Sequence, residues 1–186
     1  LPPFLTAMVS LPEASVTVHA LPQTLAALRE LLALVIPGVE DWLGGRLRWS
    51  ELTPEKPTRA AGAEVTPFEV DHGIECVGFR VVRGRSTLVY AADTRPCANV
   101  VEHAKGADLL VHEAYGSEQD AKQAHAFGHS TAADAGRAAC TAGAKRLVLT
   151  HLRASRFADP AALAKEAASA FGRPVELAGD LDAFDF

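Results

Sequence analysis

From Ser86 to its end the chain alternates short apolar runs with helical stretches, and that order permits few folds. STLVYAAD, ADLLVHEA and KRLVLTHL read as strands, while ANVVEHAKG, STAADAGRAACTAG and DPAALAKEAASAFG read as helices. Asp159 is placed to cap the last of these helices and Gly172 follows its end. PVELAGD closes the series as a short strand. Upstream, RLRWSEL, AEVTPFEVDH and VGFRVVRG have strand character, the last joined to STLVYAAD by a Gly-Arg-Ser turn. SVTVHA alternates like a strand, and PQTLAALRELLAL has helical spacing behind a first-turn proline. Antiparallel strands followed by strand–helix alternation predict an α/β layered architecture rather than a bundle or a sandwich. Residues 116–128, GSEQDAKQAHAFG, read as a surface loop containing a helix.

Composition sets the outer limits. At 186 residues and 48% hydrophobic content, the chain is expected to form a single domain over residues 1–186. No apolar run has the length of a membrane span, so no membrane partner is expected. LPPFLTAMVSLPEAS lacks a basic leader and carries early prolines, which argues against a signal peptide. The opening residue is not methionine, which suggests a trimmed or partial chain. Cys76, Cys97 and Cys140 are odd in number and without C-x-x-C spacing, so reduced thiols and a cytoplasmic location are expected. A formal charge of −5 disfavours a polyanion-binding surface spread over the whole molecule.

The candidate chemistry sits at strand ends. FEVDH finishes on Asp71-His72, LVYAAD on Asp93, LLVHEA on His112-Glu113, and LVLTH on His151. One such residue is ordinarily a turn or cap residue. Several together are different, because layered α/β folds bind ligands beyond their strand ends. Imidazole and carboxylate are suitable donors for zinc or manganese. GHST, at 128–131, makes a separate argument. Ser130 or Thr131 can cap the following helix with Asp134 in the capping-box position, and a helix N-terminus can seat a phosphate or sulfate. Arg153 and Arg156 follow His151 and could contact the same anion.

Taken in order, VDH, ADTRP, LLVHEA, GHST, LVLTHLRASRF and ELAGDLDAF resemble the ribonuclease Z-like branch of the metallo-β-lactamase superfamily. The resemblance runs from about Leu1 to Phe186 and is most specific from Leu88 onward. It implies a metallo-β-lactamase αββα sandwich holding two divalent metal ions, zinc or manganese, at one edge. It also implies a homodimer and hydrolysis of phosphodiester bonds by a hydroxide held between the two metals. By the same resemblance, His72, Asp93 and His151 are metal ligands, with Asp93 bridging the two ions. His129 contacts the scissile phosphate or protonates the leaving oxygen, and Glu113 orients or tunes it. His112 is structural. Ser130, Thr131 and Arg156 are the expected substrate contacts, Arg156 because SRF is similar to the family's SRY-type segment.

The sequence departs from that pattern in two places. The family's H-x-H-x-D-H motif is absent: the chain begins at what resembles the segment just after it, so the N-terminal part of the family domain is expected to be missing. His19, His103 and His125 do not have the spacing to replace it; His103 is expected on a surface helix. Second, only about twenty residues separate His72 from Asp93, enough for a hairpin but not for the long arm of the relatives that mature transfer RNA. RNA is an admissible partner, with transfer RNA weakly supported; a small phosphodiester or other anionic ester is the expected substrate. Two alternatives stand beside the phosphodiesterase reading. One is an armless relative acting on arylsulfates, lactones or other small esters. The other is a non-catalytic domain or inactive fragment.

Overall fold

The computed structural model describes residues 2–152 and 160–186. Arg153, Arg156 and the expected cap Asp159 lie outside the described residues. The chain divides into two compact units, residues 1–53 and 54–186.

In the first unit, helix α1 (Pro2–Val9) precedes strand β1 (Val16–Ala20), helices α2 (Pro22–Val35) and α3 (Val39–Leu43), and strand β2 (Leu47–Glu51). β1 and β2 pair in parallel, Val16 opposite Leu47 and Ala20 opposite Glu51. Leu5, Met8, Leu32, Val39, Leu43 and Leu47 form its core. Each such side chain contributes roughly 1.5–3 kcal/mol when fully buried. Glu40 ties α2 to β2, accepting from Arg29 Nε (3.0 Å) and Trp49 Nε1 (2.8 Å). The helix over PPFLTAMV was not read from the sequence; two prolines at its start fit a first turn, where no N–H is needed.

The second unit is a seven-stranded sheet in the order β3-β4-β5-β6-β7-β8-β9. β3 (Thr58–Ala60), β4 (Ala63–Glu69), β5 (Val77–Arg83) and β6 (Ser86–Ala91) run antiparallel in turn. β7 (Leu109–Glu113), β8 (Leu147–Thr150) and β9 (Glu176–Leu177) then continue parallel to β6. Their crossovers carry α4 (Ala98–His103), α5 (Ala121–Ala126) with α6 (Ala132–Ala142), and α7 (Pro160–Phe171). Val89 and Ala91, Leu110, and Leu147 and Leu149 alternate onto the face that packs against Ala135, Ala139, Leu163 and Ala167 of the helices. The predicted helix in 116–128 is α5. His103, expected on a surface helix, ends α4, and its ring stacks on Phe68 with centroids 4.1 Å apart.

Direction within this sheet positions everything that follows. β4 and β6 are both antiparallel to β5, so they point the same way, and β7 and β8 follow β6. All four C-terminal ends therefore open at one edge. Register sharpens the convergence: Ala91 lies opposite His112, and Glu113 opposite Thr150. His72, Asp93, Glu113 and His151 are all at or just beyond these ends.

Candidate metal centre

Asp93, His129 and His151 present donor atoms within 4.8 Å of one another. His151 Nε2 is 3.3 Å from Asp93 Oδ1. Both residues occupy the left-handed backbone region, with φ of 56° and 54°. Such conformations cost about 1–3 kcal/mol and are found where the surrounding structure enforces them. Here Asp93 and His151 follow the ends of β6 and β8, and their side chains meet there. The expected ligand trio was His72, Asp93 and His151; the close cluster contains His129 in place of His72. His72 lies alongside, its ring centroid 5.2 Å from that of His129.

Two of the imidazoles are anchored by one nitrogen. His72 Nδ1 donates to the carbonyl of Gly128 at 2.8 Å. A carbonyl can only accept, so this fixes the proton on Nδ1 and leaves the Nε2 lone pair for a ligand. His129 Nδ1 is 3.0 Å from Glu113 Oε1. Glu113 is fully buried, and the Thr94 N–H donates to the same oxygen at 2.6 Å. Burial raises its pKa to about 7, against the pull of the Thr94 and Ser130 backbone and of His151. Burial likewise lowers the pKa of His129, with nearby Asp93 opposing it. His112 is buried, bonds the Glu113 carbonyl through Nδ1 at 2.8 Å, and is held below the ordinary imidazole pKa by desolvation.

Gly128 is the hinge of this arrangement. It has φ of +88°, and a Cβ added there would lie 2.6 Å from His72 Nδ1. Gly128→Ala should therefore cost about 1–3 kcal/mol and turn the His72 ring away from the site. Urea denaturation and the ring resonances of His72 check this; unchanged stability with unmoved resonances would refute it.

The GHST segment behaves differently from its expected role. Ser130 and Thr131 are completely buried. The Ser130 hydroxyl donates to Thr94 O at 2.7 Å, and Thr131 forms a capping box with Asp134. The N–H groups of Thr131, Ala132, Ala133 and Asp134 donate to Asp134 Oδ2, Gly116 O, Glu166 Oε1 and Thr131 Oγ1. The expected anion seat at this helix start is filled by the protein's own carboxylates and carbonyls. The hydroxyls are engaged inside the fold rather than presented to a substrate.

Arg95 was missed as a site-building residue, although TRP directly after Asp93 was in view. Its N–H donates to Asp71 O (2.6 Å), Nη1 to Asp71 Oδ1 (2.8 Å) and Nε to His125 O (2.6 Å). One side chain thus joins the segments carrying His72, Asp93 and His129. Tyr115, from HEAY, was also missed; its ring stacks on His129 at 4.9 Å and 10°.

The donor set fits a divalent cation. It combines imidazole and carboxylate, with the two anchored imidazoles already committed at their outer nitrogens. Residues 5–152 match the β-lactamase superfamily domain. The chain belongs to the β-lactamase superfamily. Among curated members, it is 48% identical over 93 residues to ribonuclease Z of Myxococcus xanthus, covering 50% of this chain and 30% of that protein. It is 40% identical over 149 residues to ribonuclease Z of Halobacterium salinarum, covering 76% of this chain and 48% of the relative. The chain thus spans about half the length of these superfamily relatives, or less. The metallo-β-lactamase fold protein YhfI from Bacillus subtilis matches 95% of this chain and 67% of its own at a TM-score of 0.77 and 26% identity. The short form of human tRNase Z shares the fold, with a TM-score of 0.64 and 23% identity over 82% of this chain and 66% of its own. The layered α/β architecture is therefore the superfamily's metallo-β-lactamase fold.

Proposed function

We propose that the protein in its complete form is a metal-dependent hydrolase of phosphodiester bonds, of the ribonuclease Z type. The observation that carries this reading is the convergence of Asp93, His129 and His151 to within 4.8 Å at the edge where four strands end. The ribonuclease Z relatives at 40–48% identity support the class of bond attacked. In this reading His72, Asp93 and His151 would hold two divalent ions, zinc or manganese. When bound, such ions supply Lewis acidity and a water nucleophile at neutral pH.

The chain's own residues do the rest. His129 Nε2 faces the reacting ester and can hold or move a proton there, because Nδ1 is tied to Glu113. Glu113, buried and raised to about 7, keeps that ring in place. Arg95 holds the loops around the site in register. A phosphodiester in a small molecule or an RNA is the substrate we favour. The saturated start of α6 gives no help in selecting phosphate over a carbonyl, so arylsulfate, lactone and other small esters are a second reading, with that observation in their favour. The family match crosses both compact units, which supports one domain over residues 1–186. The three free cysteines suit a cytoplasmic setting, and a homodimer is the assembly we propose. Among the described residues, no helix is long and apolar enough to cross a membrane.

Zinc titration of the purified chain tests the assignment. His151→Ala and Asp93→Ala should each weaken zinc binding at least about tenfold while leaving the far-ultraviolet circular dichroism unchanged. Hydrolysis of bis(p-nitrophenyl) phosphate by the complete protein should fall with them. Unaltered zinc affinity in both variants would defeat the reading.

A further inference from the structure

The aromatic rings around the site form a row that runs outward beyond the metal-binding cluster. His151 stacks on His129 with centroids 5.4 Å apart, and His129 on Tyr115 at 4.9 Å. Tyr115 then meets Phe127 at 6.4 Å and 58°. The row ends in an exposed ring: Phe127 is 57% accessible although it is a large apolar side chain beside buried Gly128. A second exposed apolar residue flanks the same place. Ile74 is 75% accessible, and its neighbour Gly73 abuts Gly128, where an added Cβ would come within 3.1 Å of Gly73 N. Two adjoining loops thus each place an apolar side chain one residue outward from the His72–Gly128 hydrogen bond.

What sets these two apart from other exposed apolar residues is that they adjoin each other beside the candidate site, where one apolar group could cover both and release their water. Resting on the proposed hydrolase reading, we infer that Phe127, backed by Tyr115 and flanked by Ile74, seats a flat aromatic ring attached to the ester cleaved at the site. The class of substrate is therefore an aryl or nucleobase-bearing phosphodiester rather than an alkyl one. Stacking on an aromatic face tolerates any base, because each presents a π surface. Phe127 thereby sets specificity without touching the reacting atoms.

The test compares ringed and ringless probes on the zinc-loaded chain by calorimetry. p-Nitrophenyl phosphate and thymidine 5′-monophosphate should each bind roughly tenfold more tightly than ethyl phosphate. Phe127→Ala should erase that difference, and Phe127→Trp should keep it. Equal gains for the two ringed probes assign the seat to any flat ring; a gain for the thymidine probe alone assigns it to a nucleobase. If phosphates bind but the ring adds nothing, or Phe127→Ala keeps the gain, the seat is refuted while the hydrolase reading stands. If no phosphate binds, the hydrolase reading is in trouble, and thymidine alone decides the seat. Chemical-shift changes on adding thymidine that vanish in Phe127→Ala uphold it, and no changes in the wild-type chain refute it.

Discussion

Asp134→Ala should lower the stability of the second unit by about 2–3 kcal/mol at neutral pH, the range expected when a buried carboxylate that accepts several hydrogen bonds is removed. Asp134 is only 6% exposed, yet it is one of the most heavily bonded groups in the protein. Its Oδ2 accepts from the Thr131 N–H at 2.9 Å and the Thr131 hydroxyl at 2.8 Å, and lies 2.8 Å from His125 Nε2. Arg137 reaches its other oxygen. Burial alone would push this carboxyl up; His125, the Thr131 backbone and Arg137 together outweigh it and hold the pKa at about 2. The depression from the ordinary 3.8 corresponds to roughly 2.5 kcal/mol of stability at neutral pH. A carboxyl depressed on folding contributes fully above its unfolded pKa and loses that contribution as pH falls through its folded one. The stability gap between wild type and Asp134→Asn should therefore be about 2 kcal/mol above pH 5, shrink below about 4, and close near 2. Urea denaturation across that range decides it. A gap independent of pH would mean that the amide loses shape or capping rather than charge.

That residue also shows where the sequence was informative and where it was not. The capping box at Thr131 and Asp134 was legible, because its spacing is local and its chemistry is fixed by the helix start. What the box does to a bound anion was not legible. It depended on Gly116 and Glu166, which are remote in sequence and occupy the neighbouring N–H groups. The strands from β4 to β8 were readable because apolar runs stop abruptly at polar residues, and the same stops marked His72, Asp93, Glu113 and His151. That His129 joins Asp93 and His151 at one site was expected from the resemblance; the left-handed turns at positions 93 and 151 were not, because no pattern of residue types announces them. Arg95 escaped for a similar reason: its partners Asp71 and His125 come from another loop and from helix α5, and two of its three bonds end on backbone carbonyls. Side chains that bind backbone leave no complementary residue in the sequence to betray them.

Gly136→Val should be comparably severe, and the competing effects can be weighed. Valine in place of glycine within a helix would ordinarily help by a few tenths of a kcal/mol through backbone entropy. Here a Cβ would stand 2.3 Å from the carbonyl oxygen of Ala167 and 2.9 Å from the Cβ of Ala170. Neither neighbour can rotate away, since one is main chain and the other has no further atoms to move. α6 and α7 must separate, and crowding of this kind costs about 1–3 kcal/mol for a single methyl group and more for a branched side chain. The separation also strains the Glu166 bonds that run from α7 to Ala133 N and Glu118 N, at 3.2 and 2.8 Å. We expect Gly136→Ala to lose about 2 kcal/mol and Gly136→Val about 4 kcal/mol in urea denaturation. Pairing Gly136→Ala with Ala170→Gly should recover little, because the closer contact is to the Ala167 backbone and Ala170→Gly brings its own helix penalty. Full recovery in the double variant would show that side-chain crowding alone set the cost, and that the two helices can approach as closely without a glycine at 136.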